Sequence, residues 1–159
     1  MSIRNNSCDV FVVGGGPAGL AAAIGLRQKG AEVLVADALQ PPIDKPCGEG
    51  LMPDSRRDLA RLGVEPEARQ GAEFRGILFA DERSRVSAEF PCGAGLGVRR
   101  PVLQRLLLER AEELGVRFRW GAPVMARQGQ PVTVAGEAVT YRWLVGADGN
   151  ASQVRARAG

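Results

Sequence analysis

Between Asp9 and Asp37 the chain reads DVFVVGGGPAGLAAAIGLRQKGAEVLVAD, and this stretch constrains the fold more than any other. Residues 9–13 form a short apolar run with β-branched side chains, the signal of a buried strand. The run stops at Gly14, Gly15 and Gly16. Pro17 suits the first turn of a helix, where its missing N–H costs nothing. A helix is expected through Leu20, Ala23 and Ile24 to Lys29, with Gly30 as its stop. Residues 32–36 form a second apolar run that ends on Asp37. Strand, glycine turn, helix and strand make a βαβ unit of roughly 30 residues.

The glycines fit the spacing Gly-x-Gly-x-x-Gly as Gly14, Gly16 and Gly19. The first allows a tight turn off the strand, the second lets the backbone approach a pyrophosphate, and the third lets helix and strand pack closely. A diphosphate then sits on the helix N-terminus, where free N–H groups and the dipole favour negative charge. Asp37, at the end of the second strand, can accept hydrogen bonds from ribose hydroxyls. The context favours dinucleotide binding; the alternative is a glycine-rich turn in some other α/β protein.

The chain has 159 residues, enough for one domain with a core of its own. No apolar run approaches a transmembrane length. The N-terminal MSIRNNSCDV lacks the apolar centre of a signal peptide. A cytoplasmic protein is therefore expected, with no transmembrane segment; peripheral contact with a membrane stays open, as does the oligomeric state. The net charge of +3 is carried almost wholly by scattered arginines, without the aromatic interleaving of single-strand binders, so no nucleic-acid partner is expected. Three cysteines, Cys8, Cys47 and Cys92, show no CxxC spacing and indicate neither a disulfide framework nor a zinc site. The chain has no histidine, which removes the commonest general base and the Ser-His-Asp triad. Any chemistry here is expected to be carried by a cofactor.

Residues 1–7 read as a loose polar tail. After Asp37, the proline- and glycine-rich ALQPPIDKPCGEGLMP reads as a long ordered loop without regular structure. A helix is expected from Pro53 and Asp54, with Leu59 and Leu62 on one face and Gly63 as its stop. Strands are expected over 75–80 and 85–90, joined at 81–84, with another over 95–99. Pro101 opens a helix with a leucine stripe at Leu103, Leu106, Leu107 and Leu114, ended by Gly115. A strand over 116–120 follows, then a three-stranded meander over 124–127, 132–135 and 138–141, then an apolar strand over 143–147 and a short helix from about Ala151.

The run LVGADGNASQVR at 144–155 is the second candidate carrier of chemistry. Ligands of open α/β sheets collect at the carboxyl ends of strands, where Asp148 lies. Asp148 there either holds cofactor hydroxyls or ends an ordinary Asp-Gly turn capped by a helix; the local residues leave both open.

GGGPAGL at 14–20 together with GADGNASQVR at 146–155 resembles the superfamily of FAD-dependent monooxygenases and reductases, which includes aromatic hydroxylases, geranylgeranyl reductases and flavin-dependent halogenases. DKPCGEGLMP at 44–53 resembles the Cys-Gly-Glu segment of the geranylgeranyl reductase branch and its related monooxygenases. VRRPVLQRLLLERAEELG at 98–115 resembles the superfamily's arginine-led helix. The resemblance implies an α/β fold, a Rossmann-type parallel sheet with a β-meander, in which the 159 residues form one FAD-binding domain. It implies that Gly14, Gly16 and Gly19, with Pro17 and Ala18, meet the FAD pyrophosphate, and that Asp37 meets the adenosine ribose. Arg100 would reach the cofactor from the start of its helix, and Asp148 would lie near the pyrophosphate or ribitol. Cys47, Gly48 and Glu49 would border the flavin ring or the substrate entrance; otherwise they are a structural loop with a bystander thiol.

The implied activity is oxidoreduction of a small organic substrate, monooxygenation first, with NAD(P)H as reductant. Saturation of isoprenoid double bonds is the first alternative and a non-catalytic dinucleotide-binding fragment the second. Two departures stand out. The acid after the second strand is Asp37 followed by Ala38 and Leu39, where the superfamily often has Glu and a basic residue. The superfamily also continues past the Asp-Gly motif into a substrate sheet and a second Gly-Asp motif. The chain is thus expected to be the N-terminal part of a longer flavoenzyme, inefficient in turnover by itself.

Overall fold

The structure, a computed structural model, describes residues 6–159. In chain order it begins with β1 (Ser7–Val13), α1 (Pro17–Gln28) and β2 (Val33–Asp37). Then come β3 (Gly50–Leu51), α2 (Pro53–Leu62), a 3-10 turn (Ala68–Gln70) and β4 (Gly71–Phe74). The hairpin strands β5 (Gly76–Ala80) and β6 (Arg85–Glu89) precede β7 (Gly95–Val98) and α3 (Arg100–Glu113). β8 (Arg117–Trp120), β9 (Val124–Met125), β10 (Thr133–Val134), β11 (Glu137–Ala138), β12 (Thr140–Gly146) and α4 (Gln153–Ala158) complete the order.

The central sheet is four-stranded and parallel, in the order β12-β1-β2-β8. It is covered on both faces, which is why β1 and β2 read as continuous apolar runs rather than alternating ones. On one face Val10, Val12, Val33 and Val35 pack against Leu20 and Ile24 of α1, Leu107 and Ala111 of α3, and Leu59 of α2. On the other, Phe11, Val13, Leu34 and Ala36 meet Val124, Val132, Val134 and Val139 of the meander. Each of the large side chains lost to water, Phe11, Leu20, Ile24, Leu34 and Leu107, stabilises the fold by about 1.5–3 kcal/mol.

The helix boundaries follow their punctuation. α1 has Pro17 in its first turn, and Gly30 beyond it takes φ +86°. α2 ends on Gly63 in the left-handed region, φ 78°, and α3 is followed by Gly115 at φ +75°. The β5–β6 hairpin matches the expected pair, its turn held by Asp81, whose Oδ1 accepts the N–H groups of Arg83 and Ser84. Those backbone bonds hold the Asp81 carboxyl below its ordinary pKa.

Three expectations are corrected. Ser7 is not part of a loose tail: it opens β1, and the Asn6 carbonyl accepts the Thr140 N–H at 2.9 Å, while residues 1–5 of the expected tail lie outside the described residues. The loop after Asp37 is not wholly irregular, because Gly50 and Leu51 pair antiparallel with Gly97 and Leu96 of β7, which β4 flanks on its other side. The third meander strand is Glu137–Ala138 rather than 138–141. From Thr140 the chain is already in the central sheet: Tyr141 pairs with Cys8, and its ring lies 6.0 Å from that of Phe11. The strand expected over 143–147 therefore begins three residues earlier.

Candidate functional site

The carboxyl ends of β1, β2 and β12 open into a cavity of about 400 Å³. The turn from β1 into α1 forms its floor. Gly14 there takes φ +108°, and a Cβ on it would stand 2.3 Å from the Ala147 carbonyl oxygen, so only glycine fits. A Cβ on Gly15 would lie 2.1 Å from the Trp120 ring, and one on Gly19 would lie 1.9 Å from the Gly14 carbonyl oxygen. These three are glycines because the fold leaves no room.

Gly16 is different. Its φ of −75° and ψ of 178° are open to any residue, and a Cβ there would have only the Arg100 guanidinium within 4 Å, at 3.5 Å. The fold itself does not require glycine at this position. No side chain caps the N-terminus of α1. Its first-turn N–H groups lack intrahelical partners and face the cavity floor with the positive end of the helix dipole.

Of the positions singled out in the sequence, Gly14, Gly16, Pro17, Ala18, Asp37, Arg100 and Asp148 all line this cavity. Gly19 does not, and serves the packing of α1 on the turn. Cys47 and Glu49 lie outside it, on a separate shallow depression with Asp44, Lys45 and Pro46. The Glu49 carboxylate accepts the Arg100 N–H at 2.9 Å, and its carbonyl accepts the Val98 N–H at 2.7 Å. Glu49, at φ 52°, thus ties the loop to the start of α3. Cys47 is an exposed free thiol whose Sγ accepts the Glu49 N–H at 3.5 Å.

The charged groups are arranged by sign. Arg100 reaches the cavity from the first turn of α3, and its guanidinium also donates to the Ile43 carbonyl. Lys45, on the loop, adds a second cation to the lining. Asp37 turns its carboxylate inward on the protein: Oδ2 accepts the Gly15 N–H at 2.8 Å and Oδ1 the Leu39 N–H at 2.9 Å. Asp148 caps α4, accepting the Ser152 hydroxyl at 2.6 Å and the Gln153 N–H at 2.7 Å. Burial pushes the Asp148 pKa up, but these hydrogen bonds outweigh it and leave the carboxyl below its ordinary value. Asp148 thus caps the helix, as the second alternative has it, and also lines the cavity.

Four contributors were not singled out from the sequence. Ile43 and Lys45 sit in a loop whose composition predicts no particular geometry. Trp120 lies over Gly15 and stacks on Phe118, ring centroids 5.1 Å apart. Gln104 had a legible signal: it shares a helical face with Leu107 and Ala111, a polar residue at a core position of α3.

The site suits a long dianionic ligand: a flat glycine floor, an uncapped helix N-terminus, two cations, and two acids at the strand ends. A family model described as an FAD binding domain matches residues 7–159. The chain belongs to this FAD-binding family. It is 34% identical over 166 aligned residues to menaquinone reductase of Mycobacterium tuberculosis (strain ATCC 25618 / H37Rv), covering 98% of this chain and 41% of that protein. It is 31% identical over 156 residues to rifampicin monooxygenase of Rhodococcus hoagii, covering 92% of this chain and 33% of that protein. Among solved structures, OxyS anhydrotetracycline hydroxylase from Streptomyces rimosus superimposes with a TM-score of 0.80 at 32% identity, over 95% of this chain and 33% of that one. PqsL from P. aeruginosa gives a TM-score of 0.82 at 23% identity, over 96% of this chain and 46% of that one, a likeness of fold. The chain thus spans about two fifths of the length of menaquinone reductase, the first of these relatives. No helix among the described residues is long and apolar enough to cross a membrane, and none of their His, Cys, Asp or Glu side chains cluster as a metal site.

Proposed function

We propose that residues 1–159 form the FAD-binding domain of a flavin-dependent oxidoreductase, with the cofactor's pyrophosphate over Gly16. The single observation behind this placement is the open Cβ position at Gly16 beside Arg100, in a turn whose other glycines are required by the fold. When bound, FAD supplies two-electron chemistry and, once reduced, reactivity toward oxygen.

The chain's own residues bind and orient. Backbone N–H groups of the α1 first turn hold phosphate oxygens, and Arg100 and Lys45 balance their charge. Asp37 keeps the glycine turn in place and retains free lone pairs for ribose hydroxyls, since a carboxylate offers about four acceptor sites. Asp148, at the end of β12, holds the start of α4 through the Ser152 hydroxyl and the Gln153 and Val154 N–H groups, and keeps an acceptor site for a cofactor hydroxyl.

The activity proposed is monooxygenation of a small organic substrate with NAD(P)H as reductant, supported by the likeness to rifampicin monooxygenase. A second reading, reduction of an isoprenoid or quinone-type double bond, is favoured by the 34% identity to menaquinone reductase over nearly the whole chain. The test begins with purified chain: nucleotide released by heat is identified by mass spectrometry, with FAD expected and NAD overturning the reading. The FAD-loaded protein is then given NADPH and oxygen with phenolic or isoprenoid substrates. Oxygen uptake matched by hydroxylated product supports monooxygenation, whereas a saturated product without oxygen uptake supports the second reading.

A further inference from the structure

Gln104 is 1% exposed, yet its side chain is polar and both ends of its amide are used. Nε2 donates to the Gly15 carbonyl at 3.0 Å, and Oε1 accepts the Ile43 N–H at 2.6 Å. One partner is the glycine turn, 89 residues earlier, and the other is the loop that walls the cavity, 61 residues earlier.

The Gly15 peptide groups are thereby held from two sides, the N–H by Asp37 and the carbonyl by Gln104. Ile43 is held in the same way, its N–H by Gln104 and its carbonyl by Arg100. Arg100 and Gln104 lie one turn apart on α3. A single helix face therefore fixes the turn beneath the cavity and the loop beside it.

We infer that Gln104 is a positioning residue for the dinucleotide: it locks the Gly15–Gly16 turn in its phosphate-receiving form and ties that form to the position of the loop at Ile43. The inference rests on the FAD reading above. Its chemistry is specific. One partner requires a donor and the other an acceptor, so an amide of this length fits and neither an apolar side chain nor a carboxylate does. Methionine fills a similar volume but leaves two buried backbone groups without partners. Glutamate places an oxygen against the Gly15 carbonyl and can donate to it only when protonated.

The experiment titrates the 159-residue chain with FAD by flavin fluorescence, in the parent, Gln104→Met and Gln104→Glu, each first checked by far-UV circular dichroism. The methionine variant is expected to bind FAD at least about tenfold more weakly, about 1.4 kcal/mol. The glutamate variant should be similarly weak near pH 8 and recover toward the parent as the pH falls to about 5, because burial raises a carboxyl's pKa. A purely structural role would lower the urea midpoint and leave FAD binding by the folded variants unchanged at every pH. Should Gln104→Met fail to fold, the glutamate titration decides alone. Variants that bind FAD within about twofold of the parent across this range, whatever their unfolding midpoints, overturn the inference. A parent that binds no FAD overturns the flavin reading itself, and does so before any variant is measured.

Discussion

The Asp37 carboxylate accepts the Gly15 N–H at 2.8 Å, linking the end of β2 to the glycine turn after β1. An acid at this place serves the protein before it serves any ribose. Its other oxygen, on the Leu39 N–H, starts the loop that walls the cavity.

Asp37→Asn is therefore expected to destabilise the fold as well as weaken FAD binding. An amide presents one NH2 group to a site where both partners are N–H donors. Bonds to charged acceptors contribute about 1.5–3 kcal/mol, and a loss of about that size is expected in urea unfolding. An unchanged unfolding midpoint with weakened FAD binding would show that Asp37 acts on ligand alone.

Gly15 and Gly16 should separate fold from binding. Gly15→Ala drives a methyl into the Trp120 ring, 2.1 Å from the ideal Cβ, and overpacking of this kind costs about 1–3 kcal/mol. Gly16→Val meets only the Arg100 guanidinium, at ordinary contact distance, on a permissive backbone, so circular dichroism and unfolding should stay close to the parent while FAD binding is lost. A Gly16→Val protein that binds FAD like the parent would remove Gly16 from the phosphate site.

The βαβ unit and the leucine stripe of α3 were legible because their information is local: an apolar run, a glycine triplet, a helical period. What was not legible depends on pairing between distant segments. Gly50–Leu51 is a strand only because Gly97 and Leu96 of β7 lie beside it. Tyr141 leaves the meander because Phe11 and the β1 edge offer a better partner. Only the resemblance sets Cys47 and Glu49 at the flavin ring or substrate entrance; their side chains lie on a depression apart from the cavity at the strand ends, and Glu49 anchors α3. The cavity's second cation, Lys45, carried no local signal. Its place is set by a loop whose path is fixed at Ile43 by Gln104 and Arg100.

Acid should loosen the end of the chain at Asp148. Its carboxyl is held below the ordinary value of 3.8 in the folded state, so its contribution to stability is present above that value. That contribution is lost as the pH falls through the lowered folded value. Amide exchange at Gln153 and Val154, both donors to this carboxylate, should be slow at neutral pH and speed up in acid beyond the intrinsic pH trend. The same loss of protection is expected at neutral pH in Asp148→Ala. Protection at Gln153 indifferent to that substitution would mean the cap is not formed in solution.

The most direct test of the central claim is a side-by-side titration of the apo chain with FAD and with NAD, followed by quenching of the Trp120 and Trp143 emission. Trp120 lies over Gly15 at the cavity floor and should report a ligand on the turn. Saturable quenching by FAD at concentrations where NAD has little effect, abolished by Gly16→Val, is the predicted result. Tighter binding of NAD, or FAD quenching that survives Gly16→Val unchanged, would contradict it.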